Sequence, residues 1–367
     1  MRRGVVAEML HPANRRACGE GLRSLAVKPT SFDIAQLAGV SQPTVSRALR
    51  GSTAVSESTR KRIEAIAQQL NYKVDKNASS LRLRETNTLA LLFYEDPLPD
   101  SSMINPFFLA MLGSIVRASA QRGYDLLISM QQFSSDWHAE FEESRKADGI
   151  ILLGHGDFEP YRDKLDSLIA SDTHFVRWGH NSDDQLGPVV GSDNHMGGLT
   201  ATRHLLSLGR RRIAFVGDCS DHYPELRGRY RGYADGLREV GFIADPALQV
   251  DANLTEQSGR DGVAALIARG VEFDAIFAAS DLIAIGAMRE LERIGRSVPH
   301  DVAVVGFDDI SAASLTRPPL TTIQQDFTRA GEALVAALID TIRGETVRSI
   351  ALPTRLIVRQ SCGANPA

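Results

Sequence analysis

The chain has 367 residues, of which 43% are hydrophobic and 23% charged, and its formal net charge at pH 7 is −4. This composition is that of a folded, soluble protein longer than one average domain, which excludes extensive disorder. Three widely spaced cysteines exclude a disulfide framework or a CxxC-type zinc site, and no apolar run is long enough for a signal-peptide core or a membrane span. We therefore expect a cytoplasmic protein that binds no membrane, no metal and no other cofactor.

The positive charge is concentrated near the N-terminus. Residues 28–86 contain ten lysines and arginines against five acidic residues, although the whole chain is net acidic. This basic part could contact phosphates while the acidic remainder stays off nucleic acid, but solvated basic tails are also common. Residues 1–27 are rich in arginine and show no helical stripe, so we expect either a disordered tail or a stretch upstream of a true start at Val27.

Three short helical patterns follow, each separated from the next by a turn signal. Ser31 is predicted to cap a first helix over residues 32–38, and Gly39 to end it in a turn that tolerates a positive φ. The inner face of this helix is predicted to hold Ile34, Leu37 and Ala38.

The second and third patterns complete a small core. Ser41 is predicted to cap the second helix, in which Pro43 is tolerated because N–H groups of the first turn have no intrahelical acceptor. Ser56 is predicted to cap the third. The inner positions are Val45, Ala48 and Leu49 in the second helix and Ile63, Ile66, Ala67 and Leu70 in the third. A helix, a tight turn and a second helix, followed by a packing helix, is the helix-turn-helix arrangement, whose second helix enters the major groove of DNA.

Polar side chains of the second helix lie off its apolar stripe. The amide of Gln42 suits an adenine edge and the guanidinium of Arg47 suits guanine or phosphate, although solvated polar residues would give the same pattern. The candidates are Gln42, Thr44, Ser46, Arg47 and Arg50.

The run DIAQLAGVSQPTVSRAL, followed by VSESTRKRI and LNY, resembles the DNA-binding domain of the lac repressor family. The resemblance implies a homodimer on a two-fold symmetric operator, with Gln42, Pro43 and Arg47 at the specificity positions. The predicted DNA-binding residues are Thr30, Ser41, Gln42, Pro43, Thr44, Ser46, Arg47, Arg50, Ser56, Tyr72, Ala78 and Leu81.

The polar stretch KVDKNASSLRLRET lies where that family has its hinge helix. By resemblance, Leu81 is an apolar wedge that enters the minor groove and kinks the duplex; the alternative is a linker residue packed against the core. Val74 stands where many relatives have proline. The predicted division is a helix-turn-helix domain over 28–73, a hinge over 74–86, an effector-binding and dimerisation domain over 87–361, and a tail over 362–367.

From Thr88 onward, short apolar runs alternate with amphipathic helical stretches. The strand-like runs are TLALLFYE, DLLISMQQ, GIILLGHG, HFVRWGH, PVVGSDN, RIAFVGD, DAIFAASD and VAVVGFDD. Apolar runs spaced by helices indicate parallel sheets buried on both faces, and their number predicts two doubly wound α/β lobes. Ligands bind beyond the carboxyl ends of such strands, so two facing lobes would enclose a cleft.

This region resembles the effector domain of the same family, and the motifs that carry the resemblance are SDNHMGG, RGRYRGYADGL, AASDLIAIGAM, DVAVVGFDD and LTTIQQD. The resemblance therefore covers about 28–361 and implies a periplasmic-binding-protein-like fold. It implies that Arg229 and Asp281 hold sugar hydroxyls and that residues 105–108 contribute from the first lobe. Trp178 is predicted either to stack on a sugar or to belong to the core, and each polar strand end taken singly reads by default as a helix cap. The predicted ligand-binding residues are Asn105, Phe107, Phe108, Trp178, Asp193, Arg229, Asp281 and Asp308.

We therefore predict a sequence-specific transcription regulator, a repressor of carbohydrate-utilisation genes, whose DNA affinity is controlled by a sugar bound between the lobes. An enzyme is the first alternative, but the chain lacks a P-loop, GxSxG, HExxH and a GxGxxG opening a lobe. A periplasmic transport-binding protein is opposed by the fused helix-turn-helix and the lack of a signal peptide. A ligand-independent architectural DNA binder is opposed by Arg229 and Asp281.

Overall fold

The computed structural model describes residues 29–49, 51–72, 85–95, 104–130, 136–180 and 186–364. Arg50, Ala78 and Leu81 lie outside the described residues, as do residues 1–27 and most of the predicted hinge. The chain divides into two compact units, Met1–Ser79 and Ser80–Ala367.

Three helices form the described part of the first unit. They are α1 (Ser31–Ala38), α2 (Gln42–Leu49) and α3 (Glu57–Gln69). Ile34, Val45 and Ile63, one from each helix, are completely buried and form the centre of a shared core. Gly39 ends α1 at φ 63°, in the left-handed region that glycine adopts without steric cost.

Two predictions for α1 are wrong in detail. Thr30, not Ser31, is the N-cap, because its extended backbone lets its Oγ1 accept from Asp33 N while the Asp33 carboxylate accepts from Thr30 N at 2.7 Å. These hydrogen bonds hold the pKa of Asp33 below its usual range. Leu37 is 62% exposed, because the buried stripe of α1 runs through Ala35 and leaves Leu37 at its edge.

The second unit contains twelve described strands and seven described α-helices. The strands are β1 (Thr88–Glu95), β2 (Asp125–Met130), β3 (Gly149–His155), β4 (Phe175–Trp178), β5 (Val189–Ser192), β6 (Ile213–Val216), β7 (Gln249–Val250), β8 (Ala275–Ala278), β9 (Ala303–Asp308), β10 (Thr321–Gln324), β11 (Ile350–Leu352) and β12 (Arg355–Ile357). The helices are α4 (Pro106–Gln121), α5 (Phe158–Ala170), α6 (Asn194–Ser207), α7 (Pro224–Arg238), α8 (Glu256–Ala268), α9 (Asp281–Arg293) and α10 (Phe327–Ile342). A short π-helix, His138–Glu143, precedes β3.

The strands form two six-stranded sheets, which define two lobes. The order in lobe 1 is β11-β5-β4-β3-β1-β2, and the order in lobe 2 is β12-β10-β9-β8-β6-β7. All described pairings are parallel except that of β10 with β12. Helices α4, α5 and α10 cover lobe 1, and α6 to α9 cover lobe 2. The predicted α/β class with two doubly wound lobes is confirmed.

The chain passes between the lobes three times. It leaves lobe 1 after β5, returns after β10 through residues 325–326, and crosses again between β11 and β12. The eight predicted strand-like runs of the lobes all contain strands, and the last strand-like run of the sequence, LPTRLIVRQ, contains β12. The strands β7, β10 and β11 are additional. Within the described ranges, no helix is long and apolar enough to cross a membrane.

Candidate functional site

Helix α2 carries the predicted base-reading side chains Gln42 and Arg47. Gln42 begins the helix, and its Nε2 donates to Ser31 Oγ at 3.0 Å, which ties α2 to the start of α1. Arg47 and Pro43 are exposed. Ser41 Oγ lies 2.9 Å from Thr44 Oγ1. The side chains of this helix are thus held on a fixed scaffold, with the guanidinium of Arg47 in solvent.

The flanking DNA-binding candidates have clear structural roles as well. Ser56 caps α3, since its Oγ accepts from Thr59 N, as predicted. Tyr72 follows a left-handed Asn71 and packs against the core of this unit. Thr30 and Ser56 therefore fix the two helix starts, and Tyr72 fixes the end of α3.

A cavity lies between the two lobes at the carboxyl ends of the strands, as predicted. We call it the first chamber; the open space inside it is about 460 Å³. Trp178 ends β4, Asp308 ends β9 and Gln325 follows β10. The chamber is lined by Asn105, Phe107, Phe108, Gly154, Trp178, Tyr223, Glu225, Leu226, Arg229, Leu254, Asp308 and Gln325.

Arg229 supplies the charged floor of the first chamber. It projects from α7 and is 5% exposed. Its Nε donates to Asn194 Oδ1 at 2.9 Å, its Nη1 donates to the Ala279 carbonyl oxygen, and its guanidinium lies 3.8 Å from the centroid of the Phe307 ring. These contacts fix a planar, forked donor in a site from which most water is excluded.

Asp308 faces this guanidinium from the end of β9. Its Oδ1 lies 3.6 Å from Arg229 Nη1 and accepts from Gln325 Nε2 at 2.7 Å. Its backbone has φ 116°, a value that L-residues rarely adopt. The surrounding structure therefore holds Asp308 in a backbone conformation that aspartate itself disfavours. Burial raises the pKa of Asp308 to about 6, although Arg229 and Gln325 oppose the shift.

Asp281 lies behind Asp308 and does not line the chamber. It is completely buried at the start of α9, where its Oδ1 accepts from Thr322 Oγ1 at 2.5 Å and its Oδ2 accepts from Ile310 N at 2.8 Å. Burial and the charge of Asp308 raise the pKa of Asp281 well above its usual range. In this conformation Asp281 links the start of α9 to β10 and to the loop that follows β9.

Aromatic side chains form the lobe 1 wall of the chamber. Phe107 lies 5.8 Å from Trp178 and 5.3 Å from Phe108 between ring centroids. Trp178 is 8% exposed and belongs to the hydrophobic core, as one of its two predicted alternatives had it, and it also lines the chamber; stacking on a sugar stays a prediction. Asn105 caps α4 by accepting from Phe107 N at 2.9 Å and also reaches the chamber.

Six of the eight predicted ligand residues thus meet in one chamber: Asn105, Phe107, Phe108, Trp178, Arg229 and Asp308. Asp193 does not line it; it caps α6 by accepting from Met196 N. Sequence reasoning missed Glu225 and Leu226, although both lie one helical turn before Arg229 and helical spacing could have found them. It also missed Gln325, which directly follows the strand of LTTIQQD.

Direct contacts bridge the lobes beside the chamber. His222, which precedes α7, places Nδ1 2.8 Å from Oδ1 of Asp157, which caps α5 in lobe 1. The His222 carbonyl oxygen accepts from Phe158 N at 2.9 Å, and Glu225 Oε1 accepts from His180 N at 2.8 Å. The hydrogen bond with Asp157 raises the pKa of His222 above its usual value and lowers that of Asp157. The cleft is therefore closed in this structure.

No group of three or more histidine, cysteine, aspartate or glutamate side chains that could hold a metal ion is found among the described residues. The first chamber offers hydrogen-bonding groups and aromatic surface. These are suited to binding a small polar molecule.

Comparisons with known proteins agree with this architecture. Residues 32–75 match the family of bacterial regulatory proteins, lacI family, and residues 202–362 match the periplasmic binding protein-like domain family. The HTH-type transcriptional regulator CelR of Thermobifida fusca is 32% identical over 91% of this chain and 98% of its own length. The ribose operon repressor of Escherichia coli K12 is 29% identical over 87% of this chain and 94% of its own.

Solved structures of other proteins are similar to this chain over most of its length. The lac repressor dimer bound to operator and the anti-inducer ONPF matches with a TM-score of 0.79 and 25% identity, covering 92% of this chain and 100% of that one. A CelR–cellobiose complex matches with a TM-score of 0.67 and 31% identity, covering 91% and 99%. Since a relative above 30% identity spans nearly the whole chain, this protein belongs to the lacI family of bacterial regulatory proteins, and it is a DNA-binding transcription regulator.

Proposed function

We propose that this protein is a homodimeric repressor whose affinity for a two-fold symmetric operator is controlled by a sugar bound in the first chamber. The observation that carries the proposal is the fixed guanidinium of Arg229, set opposite an aromatic wall in a closed cleft between two lobes. Charged groups discriminate among hydroxyl positions, and aromatic rings cover the apolar face of a pyranose ring.

The relatives support the sugar class and the dimer. CelR is solved with cellobiose, and a second relative is a ribose operon repressor. The lac repressor is solved as a dimer on its operator. Because a dimer presents two recognition helices related by a two-fold axis, its operator is expected to be palindromic.

For DNA recognition, we propose that Gln42 and Arg47 read base edges from α2 and that Leu81 acts as the minor-groove wedge. The exposed guanidinium of Arg47 supports this assignment, since a base-reading side chain must be reachable in the absence of DNA. The other predicted DNA contacts, including Arg50 and Ala78 in the parts of the chain that the structure does not describe, remain part of the same proposal.

For control, we propose that the ligand selects a lobe orientation. A molecule in the first chamber contacts residues of both lobes, so it binds the closed cleft more tightly than an open one. Any difference in operator affinity between the two orientations is then coupled to ligand binding by linkage, and the coupling is reciprocal.

The test is a thermal-shift screen of the full-length protein against monosaccharides and disaccharides, followed by operator binding with and without each stabilising sugar. We expect at least one sugar to raise Tm and to weaken operator binding. A protein that binds a palindromic site tightly but is stabilised by none of the sugars would contradict the sugar class while leaving the regulator intact.

Arg229→Ala and Arg231→Ala form a matched pair on α7, since Arg231 is exposed on the same helix. Arg229→Ala is expected to abolish both the thermal shift and the change in operator affinity, and to leave operator binding in the absence of sugar intact. Arg231→Ala is expected to respond as the unmodified protein does. If Arg229→Ala also responds normally, Arg229 does not bind the ligand.

A further inference from the structure

A hydrogen bond joins the first helix of the DNA-binding unit to the residue that begins the second. Gln42 Nε2 donates to Ser31 Oγ at 3.0 Å, and both residues are half-buried. Pro43 and Arg47, which the resemblance places with Gln42 at the specificity positions, are exposed. The amide of Gln42 is thus held by the protein before DNA is bound.

The backbone positions at both ends of this hydrogen bond are fixed. The capping box that begins at Thr30 holds the first turn of α1, on which Ser31 lies. Gln42 is the first residue of α2. Ile34 of α1 and Val45 of α2 are completely buried in the core that the two helices share. The separation of Ser31 and Gln42 is therefore set by a packed core.

The hydrogen bond restricts a side chain that is otherwise free to rotate. Glutamine is among the side chains that lose the most rotamer entropy when they become ordered. Holding the amide of Gln42 before DNA binds reduces that loss, as preorganisation does at other interfaces. The orientation also matters, because a glutamine amide reads an adenine edge through its oxygen and its nitrogen together. An amide that rotates freely discriminates less between bases.

The contact with Ser31 does not use up the groups that a base edge needs. A glutamine amide has two N–H protons and an oxygen that can accept two hydrogen bonds. Ser31 Oγ takes one proton of Gln42, which leaves the other proton and Oε1 for a base. The adenine edge in the major groove offers the matching donor and acceptor. Ser31 therefore restrains the Gln42 amide and leaves it able to read a base.

We propose that Ser31 is a positioning residue for operator recognition, which holds the amide of Gln42 and so sharpens the choice of one base pair in each half-site. The inference rests on the proposed base-reading role of Gln42. Ser31 acts through Gln42 and not through a direct contact with DNA. The base preference at this position then depends on α1 as well as on α2.

The test begins with selection of an operator from a random DNA library by the full-length protein. Fluorescence anisotropy then gives the affinity for that operator and for each of its single base-pair variants. The base pair read by Gln42 is the one at which Gln42→Ala lowers discrimination, and Arg47→Ala identifies the base pair read by Arg47 in the same way. Ser31→Ala should lower discrimination at the first base pair by about threefold to tenfold, as the loss of one hydrogen bond implies, and leave the second unchanged.

Three further variants separate positioning from other roles. Ser31→Thr keeps the hydroxyl and should keep most of the discrimination. Gln36→Ala, at an exposed position of the same helix, should leave the base preference unchanged. In the double variant Ser31→Ala/Gln42→Ala, the loss of Ser31 should have no further effect, because its partner is absent. Discrimination is a ratio of two affinities of the folded protein, so a change in Tm alone does not alter it.

Three results would overturn the positioning role of Ser31 and leave the proposed function standing. Ser31→Ala could leave discrimination unchanged at the base pair that Gln42→Ala identifies. It could lower discrimination equally at every base pair, which is the result expected of a purely structural residue. It could also have the same effect with and without Gln42, which would show a direct contact with DNA. If Gln42→Ala changes discrimination at no base pair, the base-reading role of Gln42 is wrong and the inference falls with it.

Discussion

The Asp308 carboxyl offers a quantitative test of how the first chamber is built. Asp308→Asn keeps the shape of the side chain and its ability to accept from Gln325, but it removes the charge. Moving the pKa of this buried carboxyl from 3.8 to about 6 costs the ionised folded state about 3 kcal/mol, even with Arg229 nearby. The variant is therefore expected to be more stable than the unmodified protein at neutral pH, by up to about 3 kcal/mol.

The sign and the pH window follow from the same shift. Between pH 3.8 and about 6 the folded protein holds a proton on Asp308 that the unfolded chain has released, so the stability of the unmodified protein falls as the pH rises. The advantage of Asp308→Asn should be absent below that window, grow across it, and remain constant above it.

The assay is calorimetric unfolding of the full-length protein and the variant across this pH range. Asp309→Asn is the matched control, because Asp309 also has a positive φ but pairs with Arg359 at 2.6 Å and accepts from Gln324. The free energy of unfolding of Asp309→Asn is expected to be about 1–2 kcal/mol lower than that of the unmodified protein. An Asp308→Asn variant that is no more stable at pH 7.5, or whose gain does not vary with pH, would refute the reasoning.

Three further predictions concern other parts of the molecule. Arg47→Ala should weaken operator binding by about 1–3 kcal/mol in fluorescence anisotropy without changing Tm, since the side chain is exposed; unchanged affinity would remove it from the interface. Thr30→Ala should destabilise the DNA-binding unit by about 1 kcal/mol in thermal unfolding, and Thr30→Ser should restore most of it. Closing the cleft raises the pKa of His222 beside Asp157, so closure takes up a proton on His222. Effector affinity should therefore be highest below the ordinary histidine pKa of 6.5 and should fall as the pH rises through the raised pKa. His222→Asn should flatten this part of the dependence of effector affinity on pH.

The sheets were largely predictable because a strand buried on both faces leaves a run of apolar residues. The run TLALLFYE coincides with β1, residue for residue. In contrast, β11 pairs at an edge of lobe 1, where Ile350 is 36% exposed, and β7 has only two residues. Short edge strands bury too little surface to leave such a run, so their sequences do not distinguish them from loops.

The residue types of the candidate ligand site were predictable from the sequence, but the accessibility of each residue was not. Arg229 and Asp308 could be identified, one by resemblance and one as a polar strand end, and both reach the chamber. Asp281 was identified in the same ways, yet Thr322 and the Ile310 amide occupy its carboxylate oxygens. Which strand-end carboxyl faces the chamber depends on the backbone at the end of β9, and the positive φ of Asp308 is not visible in the sequence.

The three passages between the lobes also determine the order in which the molecule can be completed during synthesis. Lobe 1 lacks an edge strand until Ile350–Leu352 is made, and lobe 2 lacks one until Arg355–Ile357 is made, although β1 and β6 lie far upstream. The helices of the DNA-binding unit come from the first 69 residues and can pack long before either sheet is finished. A growing chain thus acquires its DNA-binding unit early and completes the two lobes only when β11 and β12 have been made. A polypeptide cut short before β11 would keep the DNA-binding unit and lack the edge strands of both lobes.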